Sequence, residues 1–301
     1  MPMCEIDLFW QVKMKLSKAQ LEYFNTFGFL KFSGLFKKDI SKITEEFETV
    51  WIASNGGHHN QQHDFQRRSS IIHFIDINVF LSSLIDDTRI TGPVSSILGD
   101  DFNYSGSDGN LYVGDTRWHS DSSVTKKYRS LKIAFYLDEV AADSGCLRVL
   151  PGSIHYGNTY ADKLNEVIPS TGKDDTKKIW GVLQHQVPSY PIPSTPGDML
   201  MFDHRIKHSS AGGDSRRRMF TMNFERRYKS EDIENLKNDI SGMAASWVEK
   251  PYGDIMIETA SPQRMIHLEQ RLQNGDHLKD LAKEFMTKMN EPTRGGAQFD
   301  E

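Results

Sequence analysis

Apolar and polar positions alternate with different periods along this chain and divide it into three stretches. From about residue 16 to 98 the spacing is mostly helical. Leu16-Ser17-Lys18-Ala19-Gln20 predicts a helix start, with Ser17 and Gln20 set as a capping box and Leu16 placed to pack from outside the first turn. Leu21, Phe24 and Phe27 then share one face, Gly28 ends the helix, and Phe29-Leu30-Lys31-Phe32 reads as a short strand. A second amphipathic helix is expected over 39–54, with Ile40, Ile43, Phe47, Val50 and Trp51 turned inward. Ile71-Ile72-His73-Phe74-Ile75 is apolar and strand-like, and 79–98 is mainly helical.

From Phe102 the period shortens. Runs at 109–113, 131–137, 146–150, 180–187, 198–202 and 219–224 are separated by Gly, Asp and Pro, which predicts a sandwich or jelly roll. Residues 153–178 read as a polar insertion, helical in part over 160–167. After Tyr228 the helical period returns over 230–248 and 262–290, and 292–301 has the composition of a frayed tail. The expected fold class is therefore mainly β with flanking α-helices. We expect one domain over 1–301, with N-terminal helices at about 16–98, a β core at about 102–228 and C-terminal helices at about 229–290.

Composition narrows the class without naming the chemistry. At 301 residues, 38% hydrophobic and 11% aromatic, the chain can bury a sizeable core. A net charge of −5 gives no overall field that would recruit nucleic acid. The two cysteines, Cys4 and Cys146, make no disulfide framework. No apolar run is long enough for a membrane span, and the first residues lack the basic and apolar regions of a signal peptide. The expectation is a soluble cytoplasmic protein without nucleic-acid or membrane partners.

The candidate chemistry lies in Trp118-His119-Ser120-Asp121 and in His208 of Asp203-His204-Arg205-Ile206-Lys207-His208. On a strand, His119 and Asp121 would share a face, a spacing that by itself is common on surface strands. A second histidine changes the reading, because two neutral imidazoles and one carboxylate on one side of a metal form the facial triad of non-heme Fe(II) oxygenases. The tight turn Pro196-Gly197-Asp198 launches an apolar strand that delivers this region to one end of the β core. His208 is the better ligand candidate, and His204 is expected to be a hydrogen-bonded non-ligand. Arg216-Arg217-Arg218 follows His208, and an arginine fork suits the far carboxylate of 2-oxoglutarate. Arg218, nearest the strand that begins at Met219, is the expected anchor, with Arg216 on the same face as the alternative and Ser210 as a second partner. Gly56-Gly57-His58-His59-Asn60-Gln61-Gln62-His63 reads as a polar loop that can cover a pocket, not as a metal tract.

Taken together, Gly145-Cys146-Leu147-Arg148-Val149-Leu150-Pro151-Gly152-Ser153, Trp118-His119-Ser120-Asp121, and Pro196-Gly197-Asp198-Met199-Leu200-Met201-Phe202-Asp203-His204-Arg205 through His208 resemble the phytanoyl-CoA dioxygenase family of Fe(II)/2-oxoglutarate-dependent oxygenases. The likeness runs over roughly 16–228 and includes the opening Leu21-Glu22-Tyr23-Phe24 to Gly28-Phe29-Leu30. It implies a double-stranded β-helix, with His119, Asp121 and His208 as iron ligands and Arg218 as the 2-oxoglutarate anchor. It also implies use of O₂, with succinate and CO₂ as products. An intact carboxylate at Asp121 argues for hydroxylation, desaturation or oxidative cyclisation and against halogenation. Arg117, Arg205 and Arg148, with Arg67, Arg68 and Lys132, are cations placed to meet a carboxylate- or phosphonate-bearing substrate. Two other readings stay open on the residues alone: a non-catalytic jelly roll that binds 2-oxoglutarate or a metabolite, and a cupin-type metal-dependent isomerase or lyase.

Overall fold

The computed structural model describes residues 14–157, 159–167 and 176–294. Its ten strands are β1 Phe29–Phe32, β2 Ser69–Ile72, β3 Asn103–Tyr112, β4 Thr116–His119, β5 Ser130–Tyr136, β6 Leu147–Val149, β7 Tyr190–Ile192, β8 Met199–Asp203, β9 His208–Ser210 and β10 Arg217–Glu225. Helices α1 Lys18–Phe27, α2 Ile40–Ala53, α3 Val79–Ser82 and α4 Thr88–Leu98 precede the β-rich region. Helices α5 Thr159–Val167 and α6 Thr176–Trp180 interrupt it. Helices α7 Ile233–Ser241, α8 Asp254–Glu258, α9 Pro262–Leu272 and α10 Leu278–Lys288 follow it.

The strands form two antiparallel sheets, ordered β1-β8-β5-β10-β3-β2 and β4-β9-β6-β7. Alternation along the large sheet decides what each face does. Ile133 and Phe135 of β5, Met199 and Met201 of β8, and Phe220, Met222 and Phe224 of β10 pack outward against Ile43, Phe47 and Val94 of the N-terminal helices. Their neighbours Ala134, Tyr136, Leu200, Phe202 and Met219 point the other way and meet Leu147, Val149 and Ile192 of the small sheet. The two inner faces therefore enclose one apolar layer, which makes the core a double-stranded β-helix. Phe135 and Phe220 stack at 5.0 Å on the outer face, and Phe36 meets Phe135 edge-on at 5.1 Å. Such pairs add about 0.5–1.5 kcal/mol each beyond area burial.

The capping box at Ser17 and Gln20 is present, and Gly28 closes α1 in the left-handed region at φ +89°. The predicted strand at 180–187 is absent. Gly181 (φ +72°) ends α6, and the Gln186 side chain accepts from the Leu183 N–H at 2.8 Å, so this stretch coils into a turn. The strand that joins the sheet there is β7, which the period did not reveal. Part of the predicted insertion, 168–175, lies outside the described residues, as do residues 1–13 and most of the predicted tail. Among the described residues no helix is long and apolar enough to cross a membrane.

Candidate active site

The small sheet carries both histidines. In the register of β4 against β9, His119 lies opposite His208 and Thr116 opposite Ser210, with an irregularity between them. The imidazole centroids are 4.2 Å apart. β4 stops at His119, so Asp121 is not on the strand that the sequence suggested. It sits in the bend that follows, held by Ser120 Oγ donating to the Arg205 carbonyl (2.9 Å) and by Ser122 N–H donating to the His204 carbonyl (3.0 Å). That bend returns the carboxylate toward the rings: Asp121 Oδ1 is 3.6 Å from His119 Nε2, and Oδ2 is 3.8 Å from His208 Nε2. One ligand atom from each of the three residues falls within 4.8 Å of the others.

The backbone sets the tautomers. His119 Nδ1 lies 2.7 Å from the Arg117 carbonyl and His208 Nδ1 lies 3.0 Å from the Ile206 carbonyl. A carbonyl only accepts, so each Nδ1 carries the proton and each Nε2 presents a lone pair to the centre. Burial, helped by the neighbouring His119, lowers the pKa of His208 to about 3, so its imidazole is neutral at ordinary pH. Burial alone would raise the pKa of Asp121, but the Lys132 ammonium overrides it and holds the carboxyl well below its ordinary range. Lys132 Nζ is 2.8 Å from Asp121 Oδ2. Although the backbone at Asp121 lies at the surface, its side chain is only 15% exposed. Two neutral imidazoles and an ionised carboxylate are the donor set that a divalent iron takes, with positions left for other ligands.

The arginine triplet resolves differently from the prediction. On β10 the side chains of Arg217, Met219, Thr221 and Asn223 line the cavity beside the three donors. Arg218 faces away, toward the helices, where it pairs with Asp138 and, at 2.8 Å, with Glu48. Arg216 also meets Glu48, at 3.1 Å, on the exposed side. Arg217 is 4% exposed, and among the described residues it has no carboxylate partner. Its Nη2 donates to Ser210 Oγ at 3.1 Å, while its Nε has no hydrogen-bond partner. The guanidinium occupies room left by two glycines. A Cβ on Gly145 or Gly213 would fall 2.0 or 2.1 Å from Arg217 Nη1. The inward period of Met219, Thr221 and Asn223, extended back by two, was the signal that selects Arg217.

The other cations divide the same way. Lys132 and Arg68 line the cavity, and Arg68 Nη2 contacts Asp108 at 3.3 Å. Arg117, Arg148 and Arg205 do not line it. Arg117 is exposed and offers only its carbonyl, Arg148 Nη1 donates to the Ala142 carbonyl at 2.9 Å, and Arg205 pairs with Asp203 at 2.6 Å. Arg148 and Arg205 find nearer partners, and Arg117 points to solvent. His204 bonds Asn223 at 3.1 Å, outside the triad, and burial takes its pKa down to about 4. The histidine-rich loop is tied down: His58 bonds the carbonyls of Ser70 and Pro292, both at 3.0 Å.

Comparison with known proteins now has a geometry to be set against. The profile of the family described as "Phytanoyl-CoA dioxygenase (PhyH)" matches residues 24–219. The chain belongs to this family. No curated protein matches it. Among solved structures it is similar to HygX from Streptomyces hygroscopicus with nickel and 2-oxoglutarate bound, at TM-score 0.56 and 16% identity over 72% of this chain and 90% of that one. It is also similar to SnoK, a non-heme alpha-ketoglutarate-dependent carbocyclase from nogalamycin biosynthesis, at TM-score 0.53 and 16% identity over 74% and 90% of the chains. EctD from S. alaskensis gives TM-score 0.53 and 18% identity over 79% and 81%. At these identities the likeness establishes the shared fold. With the family match and the His-Asp-His group, the protein is an Fe(II)/2-oxoglutarate-dependent dioxygenase.

Proposed function

We propose that this phytanoyl-CoA dioxygenase relative oxidises an unactivated C–H bond of a small, anionic metabolite by hydroxylation, desaturation or oxidative cyclisation. In this reading His119, Asp121 and His208 hold the iron, and Arg217 in place of Arg218 anchors 2-oxoglutarate, with Ser210 beside it. The observation that carries the proposal is a buried guanidinium without an acid partner in the same cavity as three metal-donor atoms. A folded protein keeps such a charge only where something pairs with it, and the far carboxylate of 2-oxoglutarate held by Arg217 would do so.

The residues divide the work. When bound, the iron and 2-oxoglutarate supply the oxidising chemistry that no side chain here has. Ser210 and the two glycines at 145 and 213 orient Arg217. Lys132 holds one oxygen of Asp121, which leaves the other for the metal. Tyr136, Leu147 and Met219 form an apolar wall that keeps water from the reacting centre. Lys132 and Arg68, although paired with Asp121 and Asp108, are the cations that line the cavity where a carboxylate or phosphonate on the substrate would lie.

The test is succinate formation from purified protein. It should require both Fe(II) and 2-oxoglutarate and should rise with an accepted anionic substrate. Binding of 2-oxoglutarate with no succinate from any candidate would instead select a non-catalytic binding role. Turnover without O₂ or 2-oxoglutarate would select an isomerase or lyase.

A further inference from the structure

The cavity at the metal donors is small for what it must hold. Its volume of about 260 Å³ has to take the metal, 2-oxoglutarate and the reacting part of the substrate. Sites that enclose a drug-sized ligand usually offer roughly 300–1,000 Å³. A substrate of more than a few heavy atoms must therefore extend out of it. Beside it lies a larger cleft of about 590 Å³, which shares the walls Ile72 and His73 with the first. The cleft runs between the His58–Asn60 turn, β2, and the segment from Ser246 to Asp254 that joins the C-terminal helices.

Two independent features set this cleft apart from a surface crevice. First, Ser70 Oγ, His73 Nε2 and Trp247 Nε1 are buried with no hydrogen-bond partner among the described residues, and all three residues line the cleft. Ser70 is 3% exposed and His73 is 8% exposed. Folded proteins rarely leave such groups unmet, and where they do, a ligand or ordered water meets them. Second, the backbone around the cleft is strained. His59, Asn60, His73 and Trp247 have φ of +50°, +58°, +57° and +58°. Non-glycine residues seldom adopt this region, and they collect at binding and catalytic sites.

The lining indicates what would fit. Trp247 Nε1 can only donate, whereas Ser70 Oγ and a neutral His73 can donate or accept. Burial holds His73 below its ordinary pKa, which keeps the imidazole uncharged. The indole of Trp247, with Val248 and Met286 near it, offers apolar faces. Lys250 is exposed and already pairs with Asp254 at 2.7 Å. An alkyl chain would leave three polar groups unmet, and an anion would find no uncommitted cation.

We propose that this cleft is the distal half of the substrate site. It receives a neutral, hydroxyl- and ether-rich ring, sugar- or polyol-like, while the rest of the molecule passes Ile72 and His73 to the metal. The inference rests on the oxygenase reading above. It places selectivity partly on Trp247, which lies beyond the family-matched residues 24–219.

The experiment uses saturation-transfer NMR on the full chain with methyl β-D-glucopyranoside and myo-inositol as neutral polyol probes and hexanoate as the apolar anionic probe. Saturable polyol binding is expected, weakened by about fivefold to tenfold in Trp247→Phe, which keeps the aromatic face and removes the donor. Ser70→Ala should behave similarly, and thermal unfolding of each variant checks the fold. Absence of saturable polyol binding, equal binding in both variants, or a preference for hexanoate with 2-oxoglutarate saturating the Arg217 site would overturn the inference. The visible charge-transfer band of wild-type protein with Fe(II) and 2-oxoglutarate separates the two readings. A band without polyol binding overturns this inference alone. Polyol binding without a band overturns the oxygenase reading, and with it the claim that the cleft serves a substrate.

Discussion

Replacing Arg217 by Met keeps the length of the side chain and removes the guanidinium. In the structure that group donates to Ser210 at 3.1 Å and has no acid partner among the described residues. If it anchors the far carboxylate of 2-oxoglutarate, its loss removes a two-pronged, charge-assisted hydrogen bond from a buried site. That is worth about 2–4 kcal/mol, or about 30- to 1,000-fold in Kd. The sign of the effect on the protein alone is different. A buried charge without a counter-charge opposes folding, so Arg217→Met should be no less stable than wild type without ligand. It should, however, lose the stabilisation that 2-oxoglutarate gives wild type, about 2.7 kcal/mol at a hundredfold excess over Kd and read as a rise in Tm. Arg218→Met is the matched control. Its partners Asp138 and Glu48 are partly exposed, so it should lose under about 1 kcal/mol of stability and leave the Kd unchanged. The assay is an anaerobic titration of protein and Fe(II) with 2-oxoglutarate, followed by the visible charge-transfer band. Unchanged affinity in Arg217→Met, or a loss confined to Arg218→Met, would refute the argument.

Other perturbations probe the rest of the site. His119→Ala and Asp121→Ala should each abolish stoichiometric binding of Co(II), read by its absorption bands, together with succinate formation. Survival of either at wild-type level would disprove the ligand assignment. Gly145→Ala should weaken 2-oxoglutarate binding through displacement of Arg217, since the new Cβ would fall 2.0 Å from Nη1 at a backbone φ of +89°. If the titration is unchanged, the guanidinium does not need that space. For His204, the folded pKa of about 4 lies below the unfolded value of about 6.5. The unfolded chain thus binds the extra proton between these values, and stability falls as pH drops from about 6.5 toward 4. At pH 5 the penalty is on the order of 1–2 kcal/mol. Urea unfolding of wild type and His204→Gln at pH 7 and pH 5 should show a shallower loss in the variant, and parallel losses would count against it.

The one-dimensional pattern determined a good deal. The capping box at Ser17 and Gln20, the stop at Gly28, the helix that buries Phe47 and Trp51, and the alternating strands at 131–137 and 219–224 are local features. Short-range sterics and period-two burial specify them without help from distant residues. The three candidate metal donors were legible for a different reason. The spacing of His119 and Asp121 is common by itself, and it was the second histidine at 208, with motifs in the family's order, that singled the group out.

Tertiary structure decided everything that depends on where a strand ends and which way a side chain turns. Asp121 reaches the histidines from a bend fastened to residues 204 and 205, a contact that no spacing rule contains. Within three adjacent arginines, the choice of Arg217 follows from the register of β10 against β3 and β5, which sends odd-numbered positions inward. Arg117, Arg148 and Arg205 are cations of the same chemistry, yet nearer carbonyls and carboxylates claim two of them and solvent the third. Lys132 beside Asp121, and the cleft behind His73, bring together residues far apart in the chain. Their chemistry depends on packing, because burial and proximity set charge and partner, and neither exists until the sheets and the C-terminal helices have closed around them.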